Sequence, residues 1–153
     1  MTASPDGCEF CAIVAGELDA EVVCEGADWI AFFPHSPATT GHTLVVPRGH
    51  VADLWSLDRA LAGPLMKAVI LVGRAIDSAL SPEGMNLISS AGQTAEQTVF
   101  HLHLHVVPRW RDDGFGTIWP PSAGHAQGEL DEVAARIKAA CYDEQLRTDE
   151  GLA

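Results

Sequence analysis

The stretch Val99-Phe100-His101-Leu102-His103-Leu104-His105-Val106-Val107 alternates three imidazoles with aliphatic side chains. Successive side chains of a β-strand point to opposite faces. As a strand, this run puts His101, His103 and His105 on one face and Leu102, Leu104 and Val106 on the other. As a helix, it would group His101 with His105 and turn His103 away. The run is rich in β-formers and meets no Gly or Pro before Pro108. A strand over 99–107 is therefore expected, one face a wall of imidazoles and the other ordinary core. A lone strand histidine is commonly half-exposed polar filler; three in strict alternation are not explained that way.

The rest of the chain bounds what that strand can serve. A length of 153 residues suits a single domain, 1–153, able to bury a sizeable core. Hydrophobic residues make up 47% and charged residues 20%, a globular balance. The formal net charge of −12 argues against a nucleic-acid polymer or an anionic membrane surface as partner. A small nucleotide stays compatible, because a pocket can differ from the surface average. No run of 18 apolar residues occurs, so no transmembrane helix is expected. Residues 1–7 lack a basic start and an apolar stretch, so no signal peptide is expected and the location is taken as cytoplasmic.

Outward from the histidine strand, periodicity sets the elements. Glu21–Glu25 and Trp29–Phe33 read as strands joined at Gly26-Ala27-Asp28, a hairpin. His42–Val46 is a third strand, stopped by Pro47, and Met85–Ser90 a fourth. Between them Leu61, Leu65, Val69, Val72, Ile76 and Leu80 form an amphipathic stripe, so a long helix is expected near 58–80. Pro64 either follows a first turn or sits at the first position of a shorter helix. Residues 8–16 suggest a short helix or turn closed by Gly16. Leu130, Val133, Ile137 and Cys141 mark a second amphipathic helix over about 129–146, with an acidic, frayed tail after it. The expected class is α+β: a five-stranded antiparallel sheet with one long central helix and a C-terminal helix.

Four cysteines are present. Cys24 and Cys141 are isolated and read as small buried apolar residues. Cys8 and Cys11 form Cys-x-x-Cys, which without a secretion signal favours a redox pair or half of a metal site over a disulfide. A tetrahedral zinc site needs two further ligands from elsewhere.

At this point the residues resemble a family. His101-Leu-His103-Leu-His105-Val-Val matches the His-φ-His-φ-His-φ-φ pattern of the histidine-triad nucleotide hydrolases and transferases. Cys8-x-x-Cys11 with Phe10 inside it, Gly41-His42-x-Leu-Val-Val-Pro47, His50 and Gln97-Thr98-Val99-Phe100 follow in the family's order. The likeness spans a core motif region, 8–109, and leaves 110–153 as a C-terminal loop and helix extension. It is greatest for the zinc-carrying bacterial-type branch, related to purine-nucleoside phosphoramidases.

The resemblance implies a division of roles. His103 would attack the α-phosphate of a nucleoside monophosphate conjugate and form a nucleotidyl-imidazole that water resolves. His105 would contact the phosphate or assist the leaving group, and His42 matches the fourth histidine of the family pocket. Gln97 and Thr98 would bind substrate beside them and stabilise phosphoryl charge. Cys8, Cys11, His50 and His101 would hold a structural zinc, with no organic cofactor. His35 and His125 fit neither set and read as surface residues. A homodimer with a continuous sheet is implied as well.

The chain also departs from the family pattern. Pro34 stands where many relatives carry an Asp or Asn that holds the ribose hydroxyls. Ala95-Glu96-Gln97 replaces a common Ala-Gly-Gln, and Ser90 replaces a frequent Asn. The expected activity is cleavage of a P–N or activated P–O bond. Two rivals are a dinucleoside polyphosphate hydrolase and a nucleotide-binding, zinc-stabilised interaction protein with negligible turnover.

Overall fold

The structure, a computed structural model, describes residues 7–121, 124 and 126–150, and the side chains of all of these but 149 and 150. The chain divides into two compact units, Met1–Gly116 and Thr117–Ala153.

In the first unit the chain opens with helix α1, Glu9–Ala15. The Cys8 thiol caps it by accepting from the Cys11 N–H, and Gly16 closes it in the left-handed conformation, φ 74°. Strands β1 (Val22–Glu25) and β2 (Trp29–Phe32) form the expected antiparallel hairpin. Strand β3 spans Thr43–Pro47, β4 Gly84–Ile88 and β5 Leu104–Arg109. They make one antiparallel sheet in the order β1-β2-β3-β5-β4.

Helix α2, Arg59–Leu80, connects β3 to β4. Asp58 caps it by accepting from the Ala60 N–H. Pro64 lies inside the helix, so turns precede it, the first of the two expected arrangements. Leu65, Ala68, Val69, Val72 and Ile76 are buried, as the stripe requires.

The register assigns the two faces of the sheet. Ala31 pairs with Val45 and Val45 with Leu104. These three join Leu102, Val106 and the buried face of α2 in one core. Ile30 pairs with Val46, Phe32 with Leu44, and Leu44 with His105. The four apolar members of that set pack with Phe10 and Ile13 of α1 in a second core. The sheet is thus sandwiched between α2 and α1, and His105 stands on the α1 face.

Three local expectations need correction. The ladder of β5 begins at Leu104, not at Val99. Before that point the backbone leaves the sheet, and Leu102 N–H donates to the Val51 carbonyl at 2.6 Å. Strand β4 ends at Ile88, so Ser90 lies outside it. Cys141 is exposed rather than buried.

The second unit contains helix α3, Gln127–Glu150, longer than the periodicity predicted. Its apolar stripe, Leu130, Val133 and Ile137, is exposed. His125 lies outside the described residues. No helix among the described residues is long and apolar enough to cross a membrane.

Candidate active site and metal centre

The side chains still part to two sides, although the β5 ladder begins only at Leu104. Leu102, Leu104 and Val106 enter the α2 core. The three imidazoles turn to the other side, where Phe10 meets His101 and His103 edge-on, at ring-centroid distances of 6.0 and 5.1 Å. The rings of His103 and His105 are 4.8 Å apart.

Chains of contacts that end in main chain fix the tautomers of His103, His42 and His105. A carbonyl can only accept, so the 2.7 Å contact of His103 Nδ1 with the His101 carbonyl places the proton on Nδ1. His103 Nε2 then carries a lone pair. A backbone N–H can only donate, and Ala38 N–H donates to His42 Nδ1 at 3.0 Å. His42 therefore holds its proton on Nε2 and donates it to His105 Nδ1 at 3.0 Å. His105 is left with an N–H at Nε2. A nucleophilic nitrogen and a hydrogen-bond donor thus sit on adjacent rings, each set by a chain that ends in main chain.

Burial holds these rings neutral. His105 is lowered from 6.5 to about 4, first by desolvation and then by repulsion from His103 and His42. Desolvation also lowers His42 and His103; the bond to the His101 carbonyl partly opposes it at His103. This has a consequence for stability. The unfolded chain protonates His105 below the ordinary value of 6.5, whereas the folded chain resists until about 4. Stability is fully present above 6.5 and is lost as pH falls toward 4. Between pH 7 and 4.5, wild type is expected to lose roughly 2–3 kcal/mol more than His105→Gln in urea unfolding. Equal losses in the two proteins would show that His105 is not held neutral.

Cys8, Cys11, His50 and His101 converge at the other end of the same segment. Their ligand atoms all lie within 4.8 Å of one another. Cys11 Sγ is 3.4 Å from the Nδ1 of His50 and of His101, and Cys8 Sγ is 3.5 Å from His101 Nδ1. Ligands at ordinary zinc–sulfur and zinc–nitrogen lengths, arranged tetrahedrally, would be separated by about 3.5 Å. Two thiols and two imidazoles are also the donor set that zinc prefers. His101 Nε2 donates to the Pro47 carbonyl at 2.9 Å, which leaves Nδ1 as its ligand atom. The four residues therefore fit a metal.

His103 and His105 line a cavity of about 780 Å³. Phe10, Ile13, Phe32 and Leu44 form its apolar floor, and Thr98, Pro34 and His35 are also in its wall. Thr98 was singled out in the sequence and reaches this cavity; His35, read as a surface residue, is exposed at its wall. Gln97 stands apart. It is buried, with its Oε1 accepting from Gly92 N–H and its Nε2 donating to the Ala52 and Val99 carbonyls. Both amide protons are committed to main chain, so Gln97 braces the segment before the histidines rather than presenting donors to the cavity. The participation of the Ala38 N–H was not visible in the sequence, because no side chain carries it. Gly41, φ 82°, makes the tight approach that brings His42 to this place.

A model of the HIT domain matches residues 15–112. The chain belongs to the HIT family. Among HIT relatives, Protein hit of Bacillus subtilis is 38% identical over 134 residues, covering 86% of this chain and 92% of that protein. The adenosine 5′-monophosphoramidase hnt1 of Schizosaccharomyces pombe is 31% identical over 137 residues, covering 86% and 98%. The crystal structure of a Zn-bound histidine triad family protein from Mycobacterium smegmatis superposes with a TM-score of 0.68 at 32% identity, covering 88% of this chain and 97% of that one. The HIT family supplies the general kind of activity, nucleotide hydrolysis and transfer, and its fold is the one described above.

Proposed function

We propose that this HIT protein cleaves a P–N or activated P–O bond at the α-phosphate of a nucleoside monophosphate conjugate, through a covalent adduct on His103. The observation that carries this reading is the fixed tautomer of His103. Its Nδ1–H is held by the His101 carbonyl, and its Nε2 has no hydrogen-bond partner among the described residues and faces the cavity. The Nε2 lone pair attacks phosphorus, the bond to the leaving group breaks, and the departing amine takes a proton from solvent. His105 Nε2–H donates to a phosphoryl oxygen and stabilises its growing charge. His42 positions His105. In the second step water attacks phosphorus and gives up a proton, and the bonding pair returns to His103 Nε2.

The phosphoramidase name of the fission-yeast relative supports the P–N alternative. Zinc held by Cys8, Cys11, His50 and His101 would be structural, with no open coordination position, and would tie α1 to the catalytic segment. A homodimer belongs to the same reading. Strand β4 is an edge of the sheet, and Leu87 on it is exposed, as are Met66 and Ile70 on α2.

Rapid-quench mass spectrometry with an adenosine phosphoramidate tests the covalent step. Wild type is expected to gain one nucleotidyl group per chain, mapped to His103, and His103→Ala none. Turnover with no labelled intermediate in wild type, at quench times shorter than a turnover, would defeat the adduct.

A further inference from the structure

The Cys-x-x-Cys pair has a chemistry beyond ligation. Cys8 caps α1 from outside the helix, at φ −77° and ψ 110°, and Cys11 lies within its first turn. Their sulfurs stand as thiols within 4.8 Å of each other. The Cys8 side chain already curls over that turn, since its Sγ accepts from Cys11 N–H at 3.4 Å. The two sulfurs thus meet over one turn, close enough to be joined by side-chain rotation. Access is unequal: Cys8 is half-buried and Cys11 is buried. Cys24 is no rival partner, because it packs against the α2 core, across the sheet from the smaller core that Cys8 joins. Phe10 lies between the two cysteines, and its ring meets His103 at 5.1 Å and Phe32 at 5.4 Å, both edge-on. Cys11 Sγ is also 3.4 Å from His101 Nδ1, and the His101 carbonyl holds the Nδ1–H of His103.

On the metal and nucleotide readings above, we infer that Cys8 and Cys11 form a two-electron redox switch. Oxidation by hydrogen peroxide joins them in a disulfide, dismantles the metal quartet and lowers ligand affinity at His103. Cys8 reacts first, as the accessible sulfur. Its sulfur attacks a peroxide oxygen, the O–O bond breaks, one water leaves and a sulfenic acid remains. Cys11 sulfur then attacks Cys8 sulfur; the S–S bond forms, the S–O bond breaks and a second water leaves. The two thiols have given two electrons and two protons to the peroxide. A disulfide carries no thiolate, and His50 and His101 alone do not close a tetrahedral site. The change reaches the cavity by two routes. Phe10, a part of the cavity floor, lies inside the ring that the disulfide closes. His101 loses the sulfur beside its Nδ1 while its carbonyl still orients His103. A dithiol reverses the step by thiol–disulfide exchange.

Reduced wild type is treated with hydrogen peroxide, and none of the readouts needs turnover. A chromogenic chelator follows zinc, intact mass and peptide mapping after alkylation follow the cysteines, and calorimetry follows AMP. Release of about one zinc per chain is expected, with loss of the mass of two hydrogens and a link mapped to Cys8 and Cys11. AMP affinity is expected to fall about ten-fold and to return after dithiothreitol and zinc. In Cys8→Ser, Cys11→Ser, peroxide should leave AMP affinity where it was. Zinc retained at unchanged mass, or Cys8 carried to a sulfinic acid with no link, overturns the switch. So does a disulfide that leaves AMP affinity unchanged, or an equal fall in the double variant. Wild type that holds no zinc at the outset defeats the metal reading, and the disulfide and its effect on AMP still decide the switch. If reduced wild type does not bind AMP, the nucleotide reading falls, and zinc release with the mapped link still decides it.

Discussion

His103→Ala is expected to lower turnover of an adenosine phosphoramidate by at least about two to three powers of ten, with substrate affinity changed far less. The reason lies in what the ring does. Its Nδ1–H is tied to the His101 carbonyl, so the ring enters the reaction already oriented and in the nucleophilic tautomer. On the proposed mechanism alanine removes the group that would form the intermediate, while Phe10, Phe32 and Leu44 still form the floor of the cavity. His105 remains anchored by His42, which is itself anchored by the Ala38 N–H. The variant should therefore keep its fold and bind AMP. Steady-state kinetics beside calorimetric AMP binding checks this. Equal rates from the two proteins would remove His103 from the chemistry.

The second large effect concerns the metal. Purified protein is expected to contain about one zinc per chain by elemental analysis, because a closed site takes one ion. The double variant Cys8→Ser, Cys11→Ser should contain none and should unfold roughly 10 °C lower or more. Serine offers no thiolate, and the two histidines alone do not close a tetrahedral site. The loss is large because α1 is only seven residues long, too short to persist without anchoring. Its remaining anchors are Phe10 and Ile13 in the smaller core. Retention of zinc in the variant would refute this ligand set.

Much of this architecture was legible in the sequence, and the reasons are local. The stripe from Leu65 to Ile76 fixed α2, and Gly26-Ala27-Asp28 fixed the hairpin. The imidazole alternation identified the segment that carries the cavity histidines, since a period of two needs no knowledge of partners. What failed depended on partners. Val99 to His103 have the composition of a strand, yet β3 offers pairing to β5 only from Val45 at Leu104 onward. Before it, Leu102 N–H turns to the Val51 carbonyl and His101 joins Cys8, Cys11 and His50. Cys141 was read as buried because an isolated free cysteine usually is, yet it lies on α3, whose apolar stripe is exposed. The order His42-to-His105 was likewise beyond sequence reasoning: it arises from the pairing of Leu44 with His105, which brings together residues 63 positions apart. Gln97 was placed in the right segment but given the wrong neighbours, because its amide is consumed by three main-chain groups.

One residue belongs to both sites at once. His101 offers its ring to the candidate metal quartet and its carbonyl to His103 Nδ1–H. The two functions therefore share a single piece of main chain. Any free energy by which a bound metal orders that peptide is returned as tighter engagement of ligand at His103, and occupancy at His103 strengthens metal retention by the same factor. On the proposed function, zinc content and nucleotide affinity would be linked properties of one short segment, not two separate endowments of the fold.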